Sequence, residues 1–186
     1  MTTATWLALV ALCHPAPQPV YHSGKIYQAE TVTYFCDRFK IQNGLGMALV
    51  REESSFRIRL ETRGQISVPA MSQKSLAKFL ARYPGFRWDS KNKNIIWVVL
   101  SHGMTQTNPR YDPEFAAAVG LRSFDWRNPV ESARVGLGRL AFLLRYFHGD
   151  QALSVSAYNA GIARIESRLP IPDETIVFLG RVLGKS

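Results

Sequence analysis

The residues best suited to chemistry are the acids of Arg51-Glu52-Glu53-Ser54-Ser55-Phe56, which closes the apolar run 45–50, Leu-Gly-Met-Ala-Leu-Val. This order puts a carboxylic acid at the inner end of a largely buried helix. A carboxyl held against apolar walls resists ionisation, so its pKa rises and it keeps a proton to donate near neutral pH. The plainer reading is a charged, solvated helix end, the usual fate of adjacent acids. Periodicity does not favour Glu53: Leu45, Ala48, Leu49 and Phe56 share one face at offsets of 3, 4 and 7, with Glu52 in that stripe and Glu53 on its flank.

A second group stands far downstream, Ala157-Tyr158-Asn159-Ala160-Gly161, followed by Pro172-x-Glu174-Thr175-x-x-Phe178. Tyr158 offers a hydroxyl, and Asn159 offers both a donor and an acceptor. As local structure, Asn159-Ala160-Gly161 equally reads as a helix ending, because Asn and Gly tolerate positive φ.

The elements that must hold these groups are helical. Residues 27–39 carry Ala29, Val32, Phe35, Cys36 and Phe39 at helical spacing, and Asn43-Gly44 breaks the chain and caps the helix bearing Glu53. A helix resumes over 72–80. Over 129–147, Asn128 is the N-cap, Pro129 fits the first turn and Glu131 completes a capping-box pattern, with Ala133, Leu137, Leu140, Leu144 and Phe147 as one stripe and Gly149 as the stop. Asp150 caps a helix over 152–160 whose inward residues Ala152, Ser156, Ala157 and Ala160 are small, so it packs closely and carries Tyr158 and Asn159 toward the centre. Asp173 caps a last helix to Leu183. Residues 81–120 are turn-rich around the apolar run 95–100, whose β-branched content favours a strand and leaves a buried helix open. This stretch reads either as a structural insertion with its own small core or as a substrate arm in which Arg82, Phe86, Arg87 and Trp88 supply stacking and charge.

The chain of 186 residues suits one domain over 21–186, with an insertion at 81–120; residues 1–20, whose apolar part, 6–13, is near the shortest export core, read either as a leader or as an ordinary N-terminal helix or strand. Hydrophobic residues at 46% and charged residues at 20% give an ordinary globular balance and argue against disorder. The net charge of +9 favours a polyanionic partner, whether nucleic acid, an anionic membrane surface or an acidic polymer. No helix-turn-helix, zinc-finger or RNA-recognition signature supports nucleic acid. Cys13 and Cys36 make neither a disulfide framework nor a zinc spacing, and His14, His22, His102 and His148 form no metal-spaced pair, so we read no metal site and no cofactor.

Glu53-Ser54-x-Phe56 after an apolar helix, then 157–161, then 172–178, in this order, resembles the soluble-lytic-transglycosylase domain of the goose-lysozyme-like superfamily, over residues 25–80 and 120–184. The resemblance implies a mainly α, lysozyme-like single helical domain with a small β insertion. It also implies a bacterial enzyme that cleaves the β-1,4 bond between N-acetylmuramic acid and N-acetylglucosamine in peptidoglycan, leaving a 1,6-anhydro end. Glu53 is then catalytic, first as acid and then as base, and Ser54, Gln73, Tyr158 and Asn159 bind substrate. The family's Gly-x-x-Gly-Leu-Met-Gln, which lines the glycan groove, is eroded when aligned on Gly64: Ser67, Val68, Pro69 and Ala70 stand in its second half. Gln73 then replaces the missing amide, or the groove is built differently, or activity is weakened. The family often has Tyr where Phe178 stands. Peptidoglycan glycan strands are the implied partner, with peripheral association with the envelope and a periplasmic or envelope location. A hydrolytic muramidase of the same fold and a catalytically weak peptidoglycan-binding or scaffold protein are the alternatives; nucleic-acid binding rests on charge alone.

Overall fold

The computed structural model describes residues 28–57, 60–67, 72–81, 86–92, 94–108, 113–167 and 169–184. The leader read over 1–20 lies outside them. Helix α1 (Gln28–Phe39) buries Thr31, Val32, Phe35 and Cys36, and Phe35 stacks on Phe39 with ring centroids 5.9 Å apart. Helix α2 (Asn43–Ser54) crosses it closely, because Gly46 lies where a Cβ would come within 2.1 Å of the Cys36 sulfur. Asn43 does not cap α2 as its sequence suggests. Gln42 holds the cap position without a side-chain bond, and Asn43 is already helical, its Oδ1 accepting from Thr33.

Three antiparallel strands follow: β1 (Glu61–Ser67), β2 (Arg87–Trp88) and β3 (Ile95–His102), in the order β1-β3-β2. Helix α3 (Gln73–Leu80) lies between β1 and β2 in the chain. Ile95 begins a strand, not a buried helix, because β1 supplies a ladder along its whole length, with a bulge between Thr62 and Arg63. Beyond the sheet the described residues of the stretch divide between the main core and a small second cluster shared with α5. Met104 enters the main core, and Ala116, Ala118 and Val119, from α4 (Pro113–Ala118) and the turn after it, pack on Val135.

Helix α5 (Pro129–Tyr146) is the central element, with Val130, Ala133, Leu137, Leu140 and Leu143 buried. Asn128 caps it by accepting from the Val130 and Glu131 amides, and the Glu131 carboxylate reaches back to the Asp125 amide at 2.8 Å. Helix α6 (Gln151–Ala160), capped by Asp150 through the Leu153 amide, lies against α5; it is followed by α7 (Ile162–Glu166) and α8 (Asp173–Leu183). Pro172, not Asp173, occupies the cap position of α8, and Asp173 and Glu174 stand in its first turn, where their charge suits the helix dipole. The main core joins α1, α2, α5, α6 and α8. No helix among the described residues is long and apolar enough to cross a membrane.

Candidate active site

Helix α2 ends abruptly. Ser55 and Phe56 both take left-handed backbone, φ 51° and 63°, and the Ser55 amide closes on the Arg51 carbonyl at 2.8 Å. The chain therefore turns away directly after Glu53 and Ser54, leaving the last turn of α2 against the middle of the molecule. Glu53 faces a cavity of about 420 Å³ whose wall also includes Ser101, Gln106, Asn108, Arg139, Tyr158 and Asn159. Burial pushes its carboxyl up from 4.5 to about 7, the Arg139 guanidinium opposes the rise, and Glu52 adds to it. Glu52 faces the other way, its carboxylate meeting Arg181 of α8 at 2.8 Å.

The apolar stripe read from sequence, which favoured Glu52 over Glu53, is rotated in the structure. The buried face runs through Leu45, Gly46, Leu49, Val50 and Ser54. Gly46 is inside because α1 approaches it, and Ser54 because it has a hydrogen-bond partner there. The assignment of Ser54 to substrate is corrected: its side chain is buried and its hydroxyl donates to the Met104 carbonyl at 2.8 Å.

That bond is one of several that hold the turn at 102–107 against the helices, the Ser132 hydroxyl of α5 also meeting the His102 carbonyl and the Thr107 hydroxyl at 3.2 and 2.9 Å. The Tyr158 hydroxyl donates to the Thr105 carbonyl at 2.8 Å, and the Thr105 hydroxyl donates to the Ser132 carbonyl of α5 at 2.9 Å. Gly136 admits the turn: a Cβ there would come within 2.3 Å of Thr105. Held in this way, the turn projects Gln106 into the cavity with φ 47°. Its amide accepts from Ser101 at 2.6 Å and donates to the carbonyls of Gly103 and Leu60 at 2.8 and 3.2 Å.

Gly103-Met104-Thr105-Gln106 matches Gly-Leu-Met-Gln at the glycine and the glutamine. Among the described residues the glutamine that reaches the cavity is Gln106. The motif was placed above over 67–70, with Gln73 as the replacement amide. Residues 68–70 lie outside the described residues, and Gln73 opens α3 with its side chain outside them too. The signal was present in the chain, but the 57–100 stretch separates it from Glu53 further than the motif's usual closeness suggests.

Tyr158 and Asn159 reach the cavity wall together from the end of α6. Tyr158 is buried and spends its hydroxyl on Thr105, while Asn159 is exposed and its Oδ1 accepts from Thr175 of α8 at 2.6 Å. Thr175 stood in the sequence only as a member of the 172–178 motif, with no site role, and Arg139 was not singled out. Arg139 had a signal, as the one charged residue in the apolar stretch 135–144. Among the described residues no cluster of His, Cys, Asp and Glu could hold a metal ion.

The described residues form a mainly helical, lysozyme-like domain with a carboxylic acid at the end of a core helix, facing a polar cleft. The family model of the transglycosylase SLT domain matches residues 32–170, and the chain belongs to that family. A search of curated proteins gave no match. At the level of the family, membership indicates lytic-transglycosylase-type action, with peptidoglycan as substrate.

Proposed function

We propose that this chain is a peptidoglycan lytic transglycosylase in which Glu53 serves as acid and then as base, acting in the bacterial periplasm or cell envelope, where its substrate lies. The observation that carries this reading is a carboxyl with a pKa raised to about 7, facing the cavity of an SLT-family chain. Such a group is protonated often enough to give a proton and ionised often enough to take one back.

Protonated Glu53 donates to the oxygen linking N-acetylmuramic acid to N-acetylglucosamine, and the C1–O bond breaks. The 2-acetamido oxygen of the muramic residue supports C1 from below. The Glu53 carboxylate then removes the proton of the same sugar's 6-hydroxyl, whose oxygen bonds to C1. The product is a 1,6-anhydro end, Glu53 is protonated again, and no water is consumed. Among the described residues Glu53 is the only acid of the cavity wall, which suits a one-carboxylate route better than the paired carboxylates of ordinary glycosidases. Gln106 and Asn159 contact the glycan; Thr175 holds the Asn159 carbonyl and leaves its NH₂ for a sugar oxygen. Tyr158 supports the site through Thr105. A glutamine in the cavity also weakens the scaffold alternative, whose basis was the missing Gly-Leu-Met-Gln amide.

Mass analysis of soluble muropeptides after incubating purified peptidoglycan with wild type and Glu53→Gln tests the reading. Anhydro-ended products from wild type alone are expected. Reducing ends would make the chain a hydrolytic muramidase, and no products with retained pelleting on peptidoglycan would make it a binding protein.

A further inference from the structure

Among the described residues the cavity wall holds one cation, and the reaction above does not use it. Arg139 is half-buried on α5, where Leu137, Leu140 and Leu143 are buried, and it stands in the cavity wall that contains Glu53. Its Nη2 donates to the Tyr158 carbonyl at 3.0 Å, and its guanidinium carbon lies 4.8 Å from the centre of the Tyr158 ring. Two attachments to one residue pin the charge, so it cannot swing to bulk solvent as a surface arginine does. A fixed charge in a half-enclosed site acts more strongly than a mobile one in water and needs no rearrangement when the neighbouring charge changes.

We propose that Arg139 is the positioning residue for Glu53: its guanidinium, pinned on Tyr158, stabilises the Glu53 carboxylate created when the proton leaves, and so lets one acid act as the following base. The proposal rests on the reading of Glu53 above. Among the described residues one other charge acts on Glu53. Glu52, on its own helix, opposes ionisation but is itself engaged by Arg181 of α8. Helix α6 presents the Tyr158 ring and Asn159, and α1 contributes no residue to the cavity wall among the described residues. Arg139 is the charge that favours the ionised form.

The test uses Arg139→Gln and Arg139→Lys, each with and without Glu53→Gln, and two readouts. In cleavage of purified peptidoglycan, Arg139→Gln is expected to lose roughly tenfold to a hundredfold in rate, in line with removal of a preorganised electrostatic group. Its alkaline limb should move to higher pH, with partial return in Arg139→Lys. The second readout is independent of activity: the pH range over which Glu53→Gln changes stability. For wild type that range ends near the Glu53 pKa of about 7, and in the Arg139→Gln background its upper edge should move up.

An Arg139→Gln protein that is less stable but keeps both the pH limb and the stability range of wild type would overturn the proposal, because Arg139 would then only brace Tyr158. So would failure of a folded Arg139→Lys to restore either readout. If wild type gives no cleavage products while the stability range still moves, the coupling of Arg139 to Glu53 stands and the catalytic reading of Glu53 fails.

Discussion

A carboxyl whose pKa rises from 4.5 in the unfolded chain to about 7 in the folded one opposes folding wherever the unfolded chain would ionise it. Below pH 4.5 both states are protonated and Glu53 is harmless; its penalty grows as pH rises toward 7 and is complete above that. Removing the charge should therefore stabilise the protein. Glu53→Gln is expected to raise unfolding free energy by up to about 3 kcal/mol at pH 8, from about 1.4 kcal/mol for each pH unit separating the folded and unfolded values, and by almost nothing at pH 4. Urea titrations of both proteins across that range measure it, and a difference independent of pH would show that Glu53 is solvated. Glu52→Gln, which removes only an exposed pair with Arg181, should change stability by less than about 1 kcal/mol at any pH. The choice between these two neighbours could not come from periodicity. The side of α2 that enters the core includes Gly46 and Ser54, which hydropathy counts as neutral or polar. They are buried because of Cys36 and Met104, partners remote in sequence. A short motif singled out Glu53; its surroundings became visible only with the fold.

At the scale of elements, the helices were legible because their signals are local. Asn128, Pro129 and Glu131 announce α5, and Asp150 announces α6, each through bonds to amides a few residues away. The turn at 102–107 had no such signal. Its position depends on hydroxyls from α2 and α6 meeting the Met104 and Thr105 carbonyls, and on Gly136 leaving room in α5. This dependence is testable in one substitution. Gly136→Ala suits the helix by propensity, worth about 1 kcal/mol in its favour. Its methyl, however, would lie 2.3 Å from the Thr105 side chain, and Thr105 is completely buried with its hydroxyl bonded to the Ser132 carbonyl. Overpacking of that kind costs roughly 1–3 kcal/mol. Net destabilisation is expected, together with loss of cleavage larger than stability alone explains, because the turn that carries Gln106 moves. Thermal melts paired with muropeptide release would measure both. A Gly136→Ala protein with wild-type activity would show that the turn does not position the cavity.

For the whole molecule the informative quantity is charge. Lysine and arginine number 23 against 14 acids, and the sequence alone could say only that a polyanion is favoured, since the sign of a field does not name its partner. The cavity and the family supply the partner, an acidic glycan polymer, and leave the charge a role in capture. Attraction between exposed charges fades beyond about 10 Å at 0.1 M salt and about 3 Å at 1 M. Binding to insoluble peptidoglycan should therefore weaken steeply with salt, while the rate of cleavage by bound enzyme should change little, because Glu53 and Arg139 both stand in the cavity wall. Glu53→Gln separates the two steps: it should pellet with peptidoglycan as well as wild type does at low salt, lose binding in parallel with wild type as salt rises, and release no fragments at any salt. If pelleting were insensitive to salt, capture would depend on the cleft itself, and the excess of basic residues would have to be explained by something other than the substrate.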